Sequence, residues 1–189
     1  LSPDLPVSID TFRSSVAARA IHKYGKVIIN DISAGELDPL IVDVAAEHDV
    51  PYVAMHMKGD PRTMQSMTDY RDIVAEVVDY FRERTAQLRE RGVRRIVVDP
   101  GFGFAKTLEQ NYELLRGLHR LAELGYPVLA GVSRKSMIYK LLGTTPAEAL
   151  NGTTALHWEC LRQGAAILRV HDTREAVEVV RMFDQFMQA

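Results

Sequence analysis

Six short stretches of the chain are almost continuously apolar: Val7–Asp10, Val27–Asp31, Tyr52–Met57, Ile96–Asp99, Val128–Val132 and Ala166–Val170. Apart from Val7-Ser-Ile-Asp10, where polar positions interleave, none alternates, and all six are read as parallel strands covered on both faces. Between them the period becomes helical. Ile73, Val74, Val77, Val78 and Phe81 recur at three- and four-residue spacing along Tyr70–Arg91, which ends at Gly92, and predict a helix with one buried face. Thr107-Leu-Glu-Gln110 reads as a capping box opening a helix that carries Leu114, Leu118 and Leu121. Thr145-Pro-Ala-Glu148 is a second such box, with Pro at the first helical position. A last helix starts near Thr173 and carries Val177, Val180, Phe183 and Met187. The alternation amounts to six βα units. An open doubly wound sheet and a (β/α)8 TIM barrel both accommodate it, although a barrel needs eight units and about 250 residues.

Composition narrows the class. At 189 residues the chain is the size of one domain. Charged residues are 25% and hydrophobic residues 47% of the chain, which excludes bulk disorder. The net charge of −2 offers no excess positive charge for nucleic acid or an anionic membrane. The single cysteine, Cys160, excludes an internal disulfide framework and fits a reducing compartment. With neither a membrane-length apolar run nor a signal-peptide pattern, a cytoplasmic protein is expected. The chain opens on Leu1, so its start is expected to lie upstream.

Chemistry gathers at the C-terminal ends of the predicted strands. Asp10, Asn30 with Asp31, His56, Asp99, Ser133-Arg134-Lys135, and Arg169 with His171 and Asp172 all stand there. In both candidate folds ligands bind at the carboxyl ends of parallel strands, so these residues read as one rim. Asp99 and Asn30 suit a flat heterocycle with adjacent N–H donors, because carboxylates accept such pairs bidentately. Lys135, Arg169 and His171 suit an anion, and in a barrel they would follow the last two strands, a frequent phosphate site. Together they predict a heteroaromatic substrate bearing phosphate. No Cys pair, His-x-x-x-His or carboxylate cluster offers a metal cage.

Plainer roles compete for some of these residues. Asp172 stands three residues before Glu175 and is expected to cap the last helix. Asp31 is as suited to capping as to binding. His56 lies inside an apolar run and reads as a core histidine. Met55, Met57, Met64 and Met67 read as packing. Gly101-Phe-Gly103-Phe lacks the third glycine of a dinucleotide fingerprint and reads as a close backbone approach to a ligand, with Phe102 or Phe104 as an aromatic wall. Asp10, Asp99, Lys135 and Arg169 lack a good plain role, because charges at buried strand ends are costly unless paired or bound.

The motifs taken together resemble the dihydropteroate synthase family. The matching stretches are Ser8-Ile-Asp-Thr11, Ile28-Ile-Asn-Asp-Ile32, Met55-His-Met-Lys-Gly59 with Pro61 and Met64-Gln65, Asp99-Pro-Gly-Phe-Gly-Phe104 with Lys106, Gly131-Val-Ser-Arg-Lys-Ser136, and Arg169-Val-His-Asp172, in family order. Ala105 stands where the family commonly has Gly, and Thr173 where it has Val. The resemblance implies a TIM barrel of which residues 1–189 supply the last six units as a single pterin-binding domain. The first two units are expected to be missing, with the early loop whose Asn contacts magnesium and diphosphate, and the chain alone is expected to be unstable or inactive.

What the resemblance implies chemically is the condensation of 6-hydroxymethyl-7,8-dihydropterin diphosphate with 4-aminobenzoate to 7,8-dihydropteroate and diphosphate, in folate biosynthesis. It implies Asp99, Asn30, Asp10 and Met55 around the pterin, Lys135 on the ring carbonyl, and Arg169 flat on the pterin face. Arg169 and His171 would hold diphosphate, Asp10 would face the developing cation, and Ser136 and Phe104 would take the benzoate. It further implies Mg2+ held through the substrate diphosphate and an upstream residue, a place in a family inhibited by sulfonamides, and a homodimer. The alternatives are the pterin-binding domain of a corrinoid methyltransferase, which needs no diphosphate grip, and a non-catalytic pterin-binding module.

Overall fold

The structure, a computed structural model, describes residues 5–59, 62–63 and 66–188; Pro61, Met64 and Gln65 lie outside them. Six parallel strands alternate with helices: β1 (Val7–Asp10), α1 (Ser14–Tyr24), β2 (Val27–Asp31), α2 (Leu40–Glu47), β3 (Tyr52–Met55), α3 (Ile73–Glu90), β4 (Ile96–Asp99), α4 (Leu108–Arg116), α5 (His119–Ala122), β5 (Leu129–Ala130), α6 (Ser136–Leu142), α7 (Leu150–Arg162), β6 (Ile167–Leu168) and α8 (Thr173–Gln188). The strands are those the apolar runs predict, with shorter ends. β3 stops at Met55, where the His56 N–H makes the closing ladder bond to the Asp99 carbonyl. β5 and β6 are reduced to two pairs, Leu129 with Ile167 and Ala130 with Leu168.

Strand order decides between the two candidate folds. β1 to β4 pair in chain order, a parallel bridge from Val98 to Val128 joins β4 to β5, and β5 pairs with β6. A doubly wound sheet reverses its order at a switch point, and this one never does. The sheet also curls. Arg169, after β6, reaches Asn30 at the end of β2, four strands away, a gap that would be about 19 Å in a flat sheet.

The helices pack outside the strands, α1 to α4 each burying one stripe. α3 buries Ile73, Val74, Val77, Val78, Phe81 and Leu88, each contributing roughly 1.5–3 kcal/mol, and its Asp72 cap accepts from the Ala75 N–H. The capping box at Thr107 forms with both reciprocal bonds. Its helix is broken where the spacing predicts continuity: Gly117 ends α4, and Leu118 and Leu121 belong to the next turn and α5. Gly117 lies so close to α3 that a Cβ would sit 2.7 Å from both Val74 methyls. The second box, at Thr145, opens a single 3-10 turn, Pro146–Glu148, ahead of α7. No described helix is long and apolar enough to cross a membrane.

Candidate active site

The fold places the predicted residues at the carboxyl ends of the strands, and four of them, Asp10, Asn30, Arg169 and Asp99, form a connected chain of polar contacts. Asn30 is its bridge. Its Nδ2 donates to Asp10 Oδ1 at 3.2 Å, and its Oδ1 accepts from Arg169 Nη1 at 3.4 Å. The same Nη1 lies 2.8 Å from Asp99 Oδ2. Asp99 is fully buried; its Oδ1 accepts from the Gly101 N–H at 2.8 Å, whereas among the described residues Oδ2 receives no aligned hydrogen bond. A buried carboxylate oxygen with open lone pairs is costly unless a ligand supplies donors.

Two glycines make this geometry possible. Gly101 adopts φ +69°, and a Cβ there would fall 2.1 Å from the His56 carbonyl, so only glycine lets the chain turn beneath Asp99. Gly131 lies under the Arg169 guanidinium, where a Cβ would be 2.6 Å from Nη2 and 3.1 Å from Cζ. The planar group rests directly on backbone.

Lys135 completes the wall. Its Nζ donates to the Phe102 carbonyl and stands 4.5 Å over the Phe104 ring. Burial brings its pKa down to about 8, with Asp99 opposing the fall and Arg169 adding to it. Of the two aromatic candidates, Phe102 is buried in the core and Phe104 is half-buried beside Lys135. Met55, in register with Asp99, is buried beneath the loop. Ser133 Oγ accepts from the His171 N–H at 3.2 Å and stands 2.9 Å from His171 Nδ1. If its hydroxyl proton goes to Nδ1, the exposed Nε2 is left as a donor. Ser136 opens α6.

Other expectations need correction. Asp10 is not a buried charge: it is exposed, because β1 pairs with β2 alone among the described strands. Asp31 is neither ligand nor helix cap. It is fully buried and ties down its loop, accepting from the Ser33 N–H and hydroxyl, the Gly35 N–H and the Tyr52 hydroxyl. Asp172 stands at the N-cap position of α8, its backbone carbonyl accepting from the Ala176 N–H, but its side chain does not cap the helix; both carboxylate oxygens grip Arg134, at 2.7 and 2.8 Å. That pair keeps the Asp172 carboxyl below its ordinary range and steadies Arg134, whose φ of +53° lies in the left-handed region. His56 is a core histidine, as expected, with its ring edge-on to Tyr80 at 4.9 Å. Met55 and Met57 are buried, Met67 is exposed, and Met64 lies outside the described residues. Lys106, which the sequence marks only as part of a motif, is buried at the base of the loop. No local signal separates a buried lysine from a solvated one.

A profile of the family described as pterin binding enzyme matches residues 1–171. The chain belongs to this family. The dihydropteroate synthase of Synechocystis sp. is 44% identical over 184 residues, covering 96% of this chain and 63% of the relative, so the chain spans under two thirds of that relative's length. Among solved structures, dihydropteroate synthase from Thermus thermophilus in complex with 4-aminobenzoate superposes with a TM-score of 0.91 at 42% identity, covering 96% of this chain and 70% of that one. The same enzyme in complex with 6HMPPP gives the same score and identity over 96% and 72%. These neighbours are TIM barrels, and the six parallel βα units of this chain, which cover about 70% of such a neighbour, match part of that barrel.

Magnesium finds no ready-made protein cage. Among the described residues no three His, Cys, Asp or Glu side chains converge, and Asp10, the exposed carboxylate of the rim, has Oδ1 engaged by Asn30. These residues alone do not fit a resident ion, and no step of the proposed reaction runs through one.

Proposed function

We propose that the chain is the pterin- and benzoate-facing part of a dihydropteroate synthase, a transferase that joins 6-hydroxymethyl-7,8-dihydropterin diphosphate to 4-aminobenzoate. The observation that carries this reading is the buried Asp99 Oδ2, without an aligned hydrogen bond among the described residues, beside a guanidinium packed close over Gly131. A carboxylate in that state accepts the adjacent N–H donors of an aminopyrimidine edge. Asn30 and Met55 flank the ring, Lys135 donates to its carbonyl, and Arg169 stacks on its face, a role that needs a planar cation.

The diphosphate is then held by Arg169 and by the exposed Nε2 edge of His171. As the C–O bond to diphosphate breaks, positive charge develops on the pterin methylene, and Asp10, fixed by Asn30, supplies a preorganised negative charge. The aminobenzoate nitrogen attacks that carbon, its C–N bond forms, and the amine proton leaves to solvent or to the departing diphosphate. Ser136 takes the benzoate carboxylate and Phe104 packs on its ring. No protein nucleophile is needed, and in this reading the enzyme works as a homodimer.

The test is dihydropteroate formation, assayed with the chain alone and with the chain extended at its N-terminus by the corresponding region of the Synechocystis synthase. Product from the extended protein, slowed at least about tenfold by Arg169→Lys, is the expected result. Binding of pterin diphosphate without product in either form would favour a non-catalytic pterin-binding module, and no binding at all would overturn the reading.

A further inference from the structure

The loop after β4 is held from beneath by a side chain that the proposed reaction does not use. Lys106 is 6% exposed. Its Nζ donates to the Phe104 carbonyl at 2.9 Å and the Gly101 carbonyl at 3.1 Å, and stands 3.1 Å from His56 Nδ1. Burial, with Lys106 and Lys58 nearby, holds the His56 pKa well below its ordinary value, so the ring is neutral and can accept at Nδ1. In its protonated form Nζ has three donors for these three acceptors, which offsets part of the cost of burying it, although burial still brings the Lys106 pKa down to about 7.

What this knot supports is the working face of the loop. The Gly101 N–H holds Asp99 Oδ1, the Phe102 carbonyl receives Lys135, and the Phe104 ring lies under the same ammonium. The two carbonyls that Lys106 gathers bracket this segment, and the Phe104 N–H closes it with a 3.1 Å bond to the Gly101 carbonyl.

We propose that Lys106 is a positioning residue: by tying the Gly101 and Phe104 carbonyls to His56 it fixes the Gly101–Phe104 loop, and through that loop the places of Lys135 and the Phe104 ring. It acts from behind the loop and touches neither substrate. The ligands in its test rest on the dihydropteroate synthase reading; the loop geometry does not.

The experiment compares the wild-type chain with Lys106→Met, which keeps the apolar stem and removes the donors. The Lys135 titration is followed by NMR in lysine-labelled protein, the exchange of the Phe104 N–H by hydrogen exchange, and the affinity for pterin diphosphate by calorimetry. The expected result is a Lys135 midpoint that rises from about 8 toward the ordinary lysine value of about 10.4, faster exchange at Phe104, and affinity at least tenfold weaker. Val78→Ala, a destabilising change in the α3 core, is expected to leave all three readouts in place. If Lys106→Met fails to fold, Lys106→Gln, which keeps an amide donor, is read the same way, with smaller changes expected. Unchanged exchange at Phe104, even with a moved Lys135 midpoint, would reduce Lys106 to a neighbouring charge and overturn the proposal. Equal effects in Val78→Ala would do the same. If the NMR and exchange changes appear but the wild-type chain binds no pterin diphosphate, the substrate reading fails while the positioning role stands.

Discussion

Arg169 shows how a single side chain can join distant parts of the chain. It touches Asn30 and Asp99 and rests on Gly131, which has no side chain to push it away. A Cβ at Gly131 would meet only the flexible end of Arg169, so Gly131→Ala is expected to displace the guanidinium while sparing the core. Calorimetry should then show pterin-diphosphate affinity at least about tenfold weaker, with the melting temperature little changed. A collapsed melting temperature would mean that Gly131 serves packing instead. The two buried lysines give this residue scale a pH signature. Lys106 and Lys135 have folded values of about 7 and about 8, below the unfolded value of about 10.4. The unfolded chain therefore binds more protons between pH 7 and 10, and stability rises with pH across that window. Affinity for the anionic ligand should move the opposite way, falling as Lys135 loses its proton above about pH 8. Thermal melts and titrations at matched pH check both signs.

At the scale of elements, what the sequence reveals depends on whether the stabilising partner is local. β2, β3, β4 and α3 are legible because burial on both faces, or along one stripe, leaves a periodic record. The capping box at Thr107 is legible because both partners lie three residues apart. The starts of α1 and α2 are not. Neither has a cap from its own N-cap side chain; instead Asp38 accepts from the Ser14 N–H with one oxygen and from the Leu40 N–H with the other. Its bond to Ser14 spans 24 residues, and no local window records it. These bonds lower the Asp38 pKa, the Ser14 N–H first. The stability they give is present above the unfolded value of about 3.9 and lost as pH falls through the folded one. Asp38→Ala is expected to cost about 1–2 kcal/mol near neutral pH, measured by denaturant unfolding, and the difference from wild type should shrink in acid. The same limit of locality explains Asp172: its spacing to Glu175 imitates a cap, whereas its partner, Arg134, lies 38 residues away.

For the whole molecule, the winding order of the strands supplies what spacing could not. Six units could belong to an open sheet or a barrel until β1 to β6 were seen to follow one another without reversal, with residues four strands apart in contact. The rim was legible as a set of residue types at strand ends. Its membership was not, because Asp31 and Asp172 carry the same chemistry and spend it on loops. α8 buries only Ala176 and leaves Met182, Phe186 and Met187 exposed, with Phe183 and Phe186 edge-on to Trp158 of α7. The proposed homodimer would cover this face. Light scattering should give a dimer mass that Met182→Glu with Phe186→Glu reduces to a monomer; a wild-type monomer at all concentrations would remove the dimer from the account.

Calorimetric titration of pterin diphosphate into the folded chain and its Asp99→Asn variant probes whether Asp99, Asn30, Lys135 and Arg169 together take a flat bicyclic pterin carrying diphosphate. One binding site per chain is expected, weakened about 10- to 100-fold in the variant by loss of a charge-assisted acceptor, with its circular dichroism unchanged. Equal affinity in both proteins, or a folded wild-type chain that takes up no ligand, would contradict that expectation.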